Sequence, residues 1–266
     1  MSPQPTKSLR DLYAEHSGKL SHKWTSYLQE YDRVFAPLRD RAISLLEIGV
    51  QNGGSLELWS RYFPLATRIV GCDINPKCGQ LSFDEPRIAV VVADACSEAG
   101  VAEACALAGR FDLVIDDGSH RSSDIIRAFA KYFPLVNDGG FYVCEDLCCG
   151  YWDEFEGGLF DIRSSITFFK QLVDVVNHEH WRLPNPRGDA LRNFSARYGV
   201  DLSEAQLARV HSVEFANSLC IIRKEAPAEN SIGLQVAVGA VAEVEPAVKG
   251  RHNLPMSALF QQETKA

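Results

Sequence analysis

The chain lacks any long apolar run. No stretch of its 266 residues approaches the roughly 18 consecutive apolar residues that cross a bilayer, and its first residues contain no apolar signal core. We therefore expect neither a membrane span nor secretion. A basic excess is also missing, because 27 Lys and Arg face 35 Asp and Glu, which gives a formal net charge of −8. Such a charge repels a phosphate backbone, so nucleic acid is not an expected partner.

Cysteine is present, but not in the pattern of a disulfide framework or a zinc site. Eight cysteines are scattered through apparent strands and helices of a large chain, which is typical of reduced cytoplasmic proteins. We therefore expect a cytoplasmic location. Hydrophobic residues at 46% and charged residues at 23% are ordinary for a globular chain, so a sizeable core is expected.

Short apolar runs alternate with amphipathic stretches, which is the pattern of repeated βαβ units. It predicts a Rossmann-like, doubly wound α/β fold with a seven-stranded, mostly parallel sheet and an antiparallel C-terminal hairpin. The predicted strands are 43–48, 68–72, 89–93, 111–115, 141–144, 210–215 and 219–223. The predicted helices are 55–62, 98–108, 123–132 and 162–177, with a short helix that a capping box starts after Ser203.

Composition divides the chain into three parts. Residues 1–40 are predicted to form a helical segment that packs on the sheet and covers a cofactor site. Residues 41–225 form the main domain. Residues 226–266 are rich in Ala, Val, Glu and Pro and are predicted to be a tail or linker, partly disordered. An added edge strand around 235–244 is an alternative for part of this tail.

The turn after the first predicted strand is the expected ligand site, because ligands of doubly wound sheets bind at the carboxyl ends of the strands. Gly49 permits a tight turn there, and Ser55 follows at the start of a helix. Asp73 ends the second strand, where a carboxylate can bind a ribose diol. Asp94 follows the third strand and is a candidate acceptor for an adenine amino group.

The charge beside this turn distinguishes between nucleotide cofactors. The glycine spacing is Gly-x-x-x-Gly-Gly, which differs from the Gly-x-Gly-x-x-Gly of a pyrophosphate site, and Glu47 lies just before it. A carboxylate suits the sulphonium and ammonium of S-adenosylmethionine, which carries no phosphate. Two alternatives to this interpretation are that the turn binds NAD in an oxidoreductase, or that it only connects a strand to a helix and binds no ligand. The predicted S-adenosylmethionine-binding residues are Glu47, Gly49, Ser55, Asp73, Asp94 and Asp116.

Acidic residues also follow two neighbouring strands. The fourth strand ends in Asp116 and Asp117, and the fifth in Glu145 and Asp146. Four carboxylates at one edge of a sheet repel one another unless a counter-charge is present. Mg²⁺ or another divalent cation, bound by carboxylate oxygens, would supply that charge. The alternative is that these acids bind no metal ion and only end strands and cap helices. In that case Arg121 would pair with one of them.

His120 follows Asp117 by three residues, on a turn that leads into a helix. Its imidazole can reach the same edge, where a general base with an ordinary pKa of about 6.5 is useful. A neutral sugar hydroxyl is a poor nucleophile. A bound metal ion and loss of the proton to His120 would activate it toward a methyl donor.

Four motifs carry a family resemblance. They are LLEIGV at 45–50, GCDI at 71–74, IDDGSH at 115–120, and YVCEDL at 142–147 followed by Tyr151 and Trp152. Over roughly 11–224 they resemble the metal-dependent macrolide-sugar O-methyltransferases of the mycinamicin and macrocin type, and the related cephalosporin methoxylation proteins. The Asp-Gly-Ser-His and Glu-Asp-Leu motifs are the specific part. The Glu-x-Gly turn is shared by class I methyltransferases at large.

The resemblance implies that residues 41–225 have the class I methyltransferase fold. The activity it implies is methyl transfer from S-adenosylmethionine to a hydroxyl of a sugar, in a glycan or a glycosylated natural product. It implies a metal ion held by Asp117, Glu145 and Asp146, with His120 as the proton acceptor. A non-sugar hydroxyl acceptor and a non-catalytic nucleoside-binding scaffold are the alternatives. Similar domains accompany glycosyltransferases in polysaccharide-building proteins, so a glycosyltransferase domain or partner is expected. Assembly into a homo-oligomer is compatible with the resemblance.

Overall fold

The computed structural model describes residues 7–255 and 258. The chain divides into two compact units, Met1–Ala226 and Pro227–Ala266. None of the described helices combines the length and the apolar character needed to span a membrane.

Within the described residues of the first unit, seven strands form one sheet. They are β1 (Ser44–Ile48), β2 (Arg68–Asp73), β3 (Ile88–Val92), β4 (Phe111–Asp116), β5 (Val136–Cys144), β6 (Val210–Ala216) and β7 (Leu219–Lys224). Their order is β3-β2-β1-β4-β5-β7-β6. Strands β1 to β5 are parallel, and β7 pairs antiparallel with both β5 and β6. The predicted fold class is confirmed, and the strand order reverses between β1 and β4, which is where such sheets bind ligands.

Eight α-helices connect and cover these strands in the same described part. They are α1 (Leu9–Ala14), α2 (Thr25–Phe35), α3 (Gly54–Tyr62), α4 (Glu98–Ala108), α5 (Ser122–Tyr132), α6 (Ser165–Val176), α7 (Arg192–Tyr198) and α8 (Glu204–Leu207). Side-chain caps set several starts: Ser97 accepts from the Gly100 N–H, and Ser203 forms the predicted capping box with Gln206. The predicted helix 162–177 begins later, at Ser165, because Ser164 caps it.

Two apolar clusters cover the two faces of the sheet. Because side chains alternate along a strand, the neighbours Leu45 and Leu46 of β1 lie in different clusters. On one face, α5 buries Phe129 among other aromatic rings. On the other face, Tyr31 and Trp59 of α2 and α3 pack edge to face. The helices before β1 are therefore part of the core and bring their side chains to the sheet.

The start of one predicted strand differs from the structure. Strand β5 begins at Val136, whereas the predicted strand begins at residue 141. The strand continues through Gly139 and Gly140 with a register shift against β4 between Phe111 and Leu113, so these glycines lie in an irregular part of the strand.

The second unit contains short 3-10 turns at Pro227–Asn230 and Pro246–Arg251. A single antiparallel bridge joins Leu234 and Pro255. Between 235 and 244, all of which the structure describes, no strand forms, so the edge-strand alternative is wrong. The rest of the predicted tail, 256–257 and 259–266, lies outside the described residues.

Candidate functional site

A cavity of about 540 Å³ opens at the carboxyl ends of the central strands. Its volume is in the range of small-molecule sites. Its walls come from the turns after β1, β2 and β3 and from the ends of β4 and β5. Predicted site residues that line it are Gly49, Ser55, Asp73, Asp94, Asp116, Asp117, His120, Glu145 and Asp146. Of the predicted cofactor-binding residues, only Glu47 is not among the lining residues.

Asp73 holds the turn after β1 in place. One carboxylate oxygen, Oδ2, accepts from the N–H groups of Val50 at 2.8 Å and Gln51 at 3.1 Å. The other, Oδ1, accepts from the Asn75 N–H at 2.8 Å. Partial burial would raise the pKa of Asp73, but these backbone bonds lower it below its usual value. Asp73 is thus an oriented carboxylate at the cavity wall, and its contact with a ribose stays a prediction.

Asp94 is oriented in a similar way, since its Oδ1 accepts from the Cys96 N–H at 2.8 Å. It lines the same end of the cavity as Asp73. Its predicted contact with adenine is not tested by this arrangement and stays a prediction.

Glu47 is fully buried. The Ser55 hydroxyl donates to Glu47 Oε2 at 2.5 Å, and Trp59 Nε1 donates to Oε1 at 3.3 Å. Burial raises the pKa of Glu47, while the ammonium of Lys23 and the Ser55 hydroxyl lower it. The cation beside Glu47 in this structure is therefore a lysine of the chain itself, and a direct cofactor contact stays a prediction.

Asp116 stands apart from the other strand-end acids. Its carboxylate is buried and accepts from the Tyr142 hydroxyl at 2.7 Å. Burial raises the pKa of Asp116 to about 7. All four strand-end acids line the same cavity. Asp116 is in neither of the two acidic groups described below, and its predicted contact with the cofactor stays a prediction.

Three groups meet at the mouth of the cavity: Asp117, His120 and Asp146, here called the outer group. Their ligand atoms all lie within 4.8 Å of one another. His120 Nε2 lies 4.0 Å from Asp117 Oδ1 and 3.8 Å from Asp146 Oδ2. The carboxylate oxygens of Asp117 and Asp146 are suitable ligands for a divalent cation, so the donor chemistry fits a metal ion beside His120. The imidazole nitrogen of His120 can either bind such an ion or accept a proton, but not both at once.

The local backbone explains how this group converges. His120 and Asp146 have positive φ angles of 58° and 49°, in the left-handed region that non-glycine residues rarely adopt. His120 lies just before α5, and Asp146 just before a 3-10 turn at Leu147–Tyr151. Strain of this kind persists where the surroundings hold it, and it is common at functional sites.

Residues before β1 hold Asp146. The Tyr27 hydroxyl donates to Asp146 Oδ1 at 2.7 Å and accepts from the Asp146 N–H at 3.2 Å. Trp24 Nε1 donates to the same oxygen at 3.0 Å. Both contacts fall on Oδ1, which leaves Oδ2 for His120 and the centre of the outer group.

A second set of acids, Glu47, Asp117 and Glu145, is here called the inner group. Its ligand atoms also lie within 4.8 Å of one another. The ammonium of Lys23 bonds to all three acids: it lies 3.4 Å from Glu47 Oε1 and 2.7 Å from Glu145 Oε1, and it donates to Asp117 Oδ2. Tyr31 adds a hydroxyl that donates to Glu145 Oε1 at 2.7 Å.

The side chain of Lys23 is only 3% exposed. Burial alone would lower the pKa of its ammonium, but the charges of the inner group raise it well above the usual value. Burial raises the pKa of the Glu145 carboxyl, while the charge of Lys23 acts to lower it. The sequence predicts a metal ion or Arg121 as the counter-charge, and it gives no sign of Lys23. Arg121 instead donates to Glu156 at 2.6 Å.

The predicted metal ligands are therefore divided between two groups. Asp117 belongs to both, with Oδ2 toward Lys23 and Oδ1 toward His120. Glu145 lies in the inner group and Asp146 in the outer group, and among the described residues the three do not form one set of this kind. Their joint role as metal ligands stays a prediction.

The segment between α1 and α2 forms one wall of the cavity, through Leu20, Ser21, His22, Lys23 and Trp24. Its start is attached to α3, because Lys19 donates to Glu57 from its backbone N–H at 2.9 Å and from Nζ at 3.0 Å. The Lys19 and Leu20 backbone passes so close to Gly54 that a Cβ atom there would collide with it.

Comparison with known proteins gives consistent relatives, although no protein-family model matches the chain. The 8-demethyl-8-alpha-L-rhamnosyl tetracenomycin-C 2'-O-methyltransferase of Streptomyces olivaceus is 42% identical over 171 residues, which are 60% of this chain and 44% of that protein. The mycinamicin VI 2''-O-methyltransferase of Micromonospora griseorubida is 36% identical over 200 residues, 71% of this chain and 47% of that protein. The chain is related to the sugar O-methyltransferases.

The structures agree with this relationship. The MycE methyltransferase from the mycinamycin biosynthetic pathway, solved in complex with Mg, SAH and mycinamycin VI, superposes with a TM-score of 0.69 at 26% identity. The match covers 97% of this chain and 60% of that protein. The predicted resemblance to sugar O-methyltransferases is confirmed. The chain spans about half the length of the curated relatives that it matches.

Proposed function

We propose that the chain is an S-adenosylmethionine-dependent O-methyltransferase that acts on a sugar hydroxyl and uses Mg²⁺ or another divalent cation. The observation that carries this proposal is the outer group, which meets at the mouth of the cavity that Asp73 and Asp94 also line. The relatives are named as the 2'-O-methyltransferase of a rhamnosyl tetracenomycin and the 2''-O-methyltransferase of mycinamicin VI, and the MycE structure contains Mg and SAH.

The turns after β1, β2 and β3 would hold the cofactor at their end of the cavity. There Gly49 lets the chain turn tightly, Asp73 would bind the ribose diol and Asp94 would accept from the adenine amino group. When bound, S-adenosylmethionine supplies an activated methyl group on a sulphonium. No phosphate site is needed for it, in agreement with the carboxylates that line this end.

The donor chemistry of the two acidic groups supports a divalent cation. Asp117 Oδ1 and Asp146 Oδ2 face the same point beside His120, and Glu145 is the third predicted ligand. When bound, the cation offsets the carboxylate charge and favours ionisation of a nearby hydroxyl.

His120 takes the proton of the acceptor. Its Nε2 faces the outer group at the cavity mouth, so a hydroxyl placed there transfers its proton to the imidazole. The hydroxyl oxygen then forms a bond to the methyl carbon while the carbon–sulphur bond breaks, and the sulphonium leaves as a neutral thioether. General-base catalysis of this kind typically contributes about 10²–10⁴-fold, and alignment of the two reactants adds to it.

Aromatic residues extend from His120 toward solvent. Its ring lies 6.4 Å from that of Phe155, which lies 6.0 Å from that of Trp152. Trp152 is half exposed. The rings are tilted against one another, by 51° and 55°, and an exposed ring such as that of Trp152 can pack on the C–H face of a sugar. A glycosyltransferase partner, self-association and a cytoplasmic location are further parts of the proposal that rest on the sequence alone.

A methyl-transfer assay tests the proposal, with labelled S-adenosylmethionine, a panel of sugars, glycans and catechol-like diols, and buffers that contain Mg²⁺ or EDTA. We expect transfer to a sugar that EDTA abolishes. Asp117→Asn should remove this turnover and leave SAH affinity within about twofold, since Asp117 supplies the metal side and not the ribose side. Asp84→Asn is the matched control, because it makes the same substitution at an exposed residue outside the cavity, and it should behave as wild type.

Other outcomes assign other functions. Full activity of Asp117→Asn, or transfer that is indifferent to EDTA, contradicts the metal-dependent mechanism. Transfer to diols but not sugars changes the acceptor class. Nicotinamide absorbance changes would indicate an oxidoreductase, and SAH binding without turnover on any acceptor would indicate a scaffold.

A further inference from the structure

Lys23 occupies an unusual place for a lysine. Its ammonium is buried among Glu47, Asp117 and Glu145, and its side chain is only 3% exposed. A buried charge is costly unless it is paired, and two buried carboxylates next to the partly buried Asp117 would be more so. Counted as ionised, the three acids of the inner group carry a formal charge of −3, and the ammonium of Lys23 offsets one unit of it. The remaining negative charge can attract a further cation.

The ammonium uses only one oxygen of each shared acid. On Asp117 it bonds to Oδ2, while Oδ1 faces His120 at 4.0 Å. On Glu145 the contacts of Lys23 and Tyr31 both fall on Oε1, so they leave Oε2 for another ligand. Lys23 thus sets which oxygens of these acids point away from it.

We propose that Lys23 is a built-in cation of this acidic centre, which fills the inner group and confines the divalent cation to the side of Asp117 that faces His120 and Asp146. This inference rests on the proposed use of a divalent cation. Lys23 is a positioning residue, since its contacts are with the acids alone. Two cations that share Asp117 repel each other, so the ammonium also limits how tightly the divalent ion is bound.

The neighbouring residue supports this division. Trp24 follows Lys23 in the chain and donates to Asp146 Oδ1 at 3.0 Å. Two consecutive residues of one wall segment therefore contact the inner and the outer group, respectively. The segment that forms the cavity wall thus contacts acids of both groups.

The test is the affinity of the full chain for Mn²⁺ in the absence of cofactor and acceptor, measured by titration calorimetry and by the EPR signal of free Mn²⁺. Lys23→Met keeps the length of the side chain and removes its charge. We expect it to bind Mn²⁺ at least about tenfold more tightly than wild type, because a positive charge close to the ion is lost. Lys170→Met removes an exposed positive charge on α6, outside the cavity, and should leave the affinity unchanged.

A Lys23→Met variant that does not fold without metal is also informative. Mn²⁺ should then restore its native circular dichroism, because a divalent ion can replace the missing charge. Unchanged or weaker Mn²⁺ binding by a folded variant contradicts the inference, and so does a variant that stays unfolded at saturating Mn²⁺. A wild-type chain that binds no Mn²⁺ contradicts both this inference and the metal-dependent mechanism, whereas wild-type binding with an unchanged variant contradicts this inference alone.

Discussion

Gly49 lies directly against the backbone of Asp117, and a Cβ atom at position 49 would collide with the Asp117 carbonyl oxygen. The turn that follows β1 thus packs on the residue that follows β4 with no side chain between them. This contact joins the proposed cofactor end of the cavity to its proposed metal end. It also explains why the two ends are close enough for a methyl donor to meet an activated hydroxyl.

Gly49→Ala should damage both ends at once. Position 49 has a φ of +92°, which L-residues rarely adopt, and the added methyl group has no room. We expect the free energy of unfolding to fall by about 1–3 kcal/mol and SAH affinity to fall with it. Urea unfolding and calorimetry measure these effects. Gly188→Ala is the control, because a Cβ there meets no described atom within 4 Å; equal losses in the two variants would refute the argument.

His120→Gln tests the proton acceptor. The amide retains hydrogen bonding but cannot take a proton at neutral pH, so kcat should fall by about 10²–10⁴-fold. SAH affinity should change little, since the predicted ribose and adenine contacts lie at the other end of the cavity. Single-turnover methyl transfer measures the chemical step, and His178→Gln, at a residue whose Nε2 contacts the Asn185 carbonyl oxygen outside the cavity, is the control. Retention of half the rate would exclude His120 as the base.

Tyr142→Phe tests the buried hydrogen bond to Asp116. The variant leaves a buried carboxyl without the hydroxyl that donates to it at 2.7 Å. Loss of one partner of a buried polar pair costs about 1–3 kcal/mol, and we expect a decrease of that size in the free energy of unfolding. Tyr151→Phe, at a partly exposed residue, should change stability little. The same small effect at both positions would show that the Tyr142 bond contributes nothing to stability.

Lys224 gives a pH dependence that can be measured apart from other groups. Its ammonium is buried and donates to the carbonyl oxygens of Phe133, Pro134 and Val136 at 3.0, 2.9 and 2.6 Å. Burial, helped by the charge of Arg110, lowers the pKa of Lys224 from its usual value to about 8. Between this pKa and that of the unfolded chain, about 10.4, the unfolded chain binds the extra proton, so the free energy of unfolding rises with pH.

The comparison with Lys224→Met isolates this effect, because the variant has no proton to lose. We expect the stability of wild type relative to the variant to increase between pH 8 and about 10, by up to about 1.4 kcal/mol per pH unit. Guanidinium unfolding at several pH values measures it. The exposed Lys170→Met should show a constant difference. A constant difference for Lys224→Met as well would mean that the ammonium keeps its ordinary pKa despite burial.

Much of the fold could be predicted because its signals are local. Apolar runs, glycine turns and the capping box at Ser203 placed the strands and most helices within a few residues. The start of β5 was missed, because a Gly-Gly pair looks the same in sequence whether it forms a turn or lies in an irregular part of a strand. The residues Asp117, His120 and Asp146 were also accessible to sequence reasoning, since they follow adjacent strands and adjacent strand ends meet.

The counter-charge was not accessible in this way. Lys23 and Asp117 are 94 residues apart, and no local pattern connects a lysine between two helices to acids at strand ends. The predicted role of Glu47 rested on its negative charge. A carboxylate attracts a cofactor cation and a lysine equally well. Which cation is present depends on packing of the segment before β1, and single-sequence reasoning does not reach that packing.

The place of Lys23 has a consequence for where this domain can be cut. A fragment that began at β1 would retain Glu47, Asp117 and Glu145 in its interior with no ammonium to balance them, and it would lose the Tyr27 and Tyr31 hydroxyls as well. We therefore expect a fragment with a balanced site to extend upstream of the sheet, at least through the residue that delivers the positive charge.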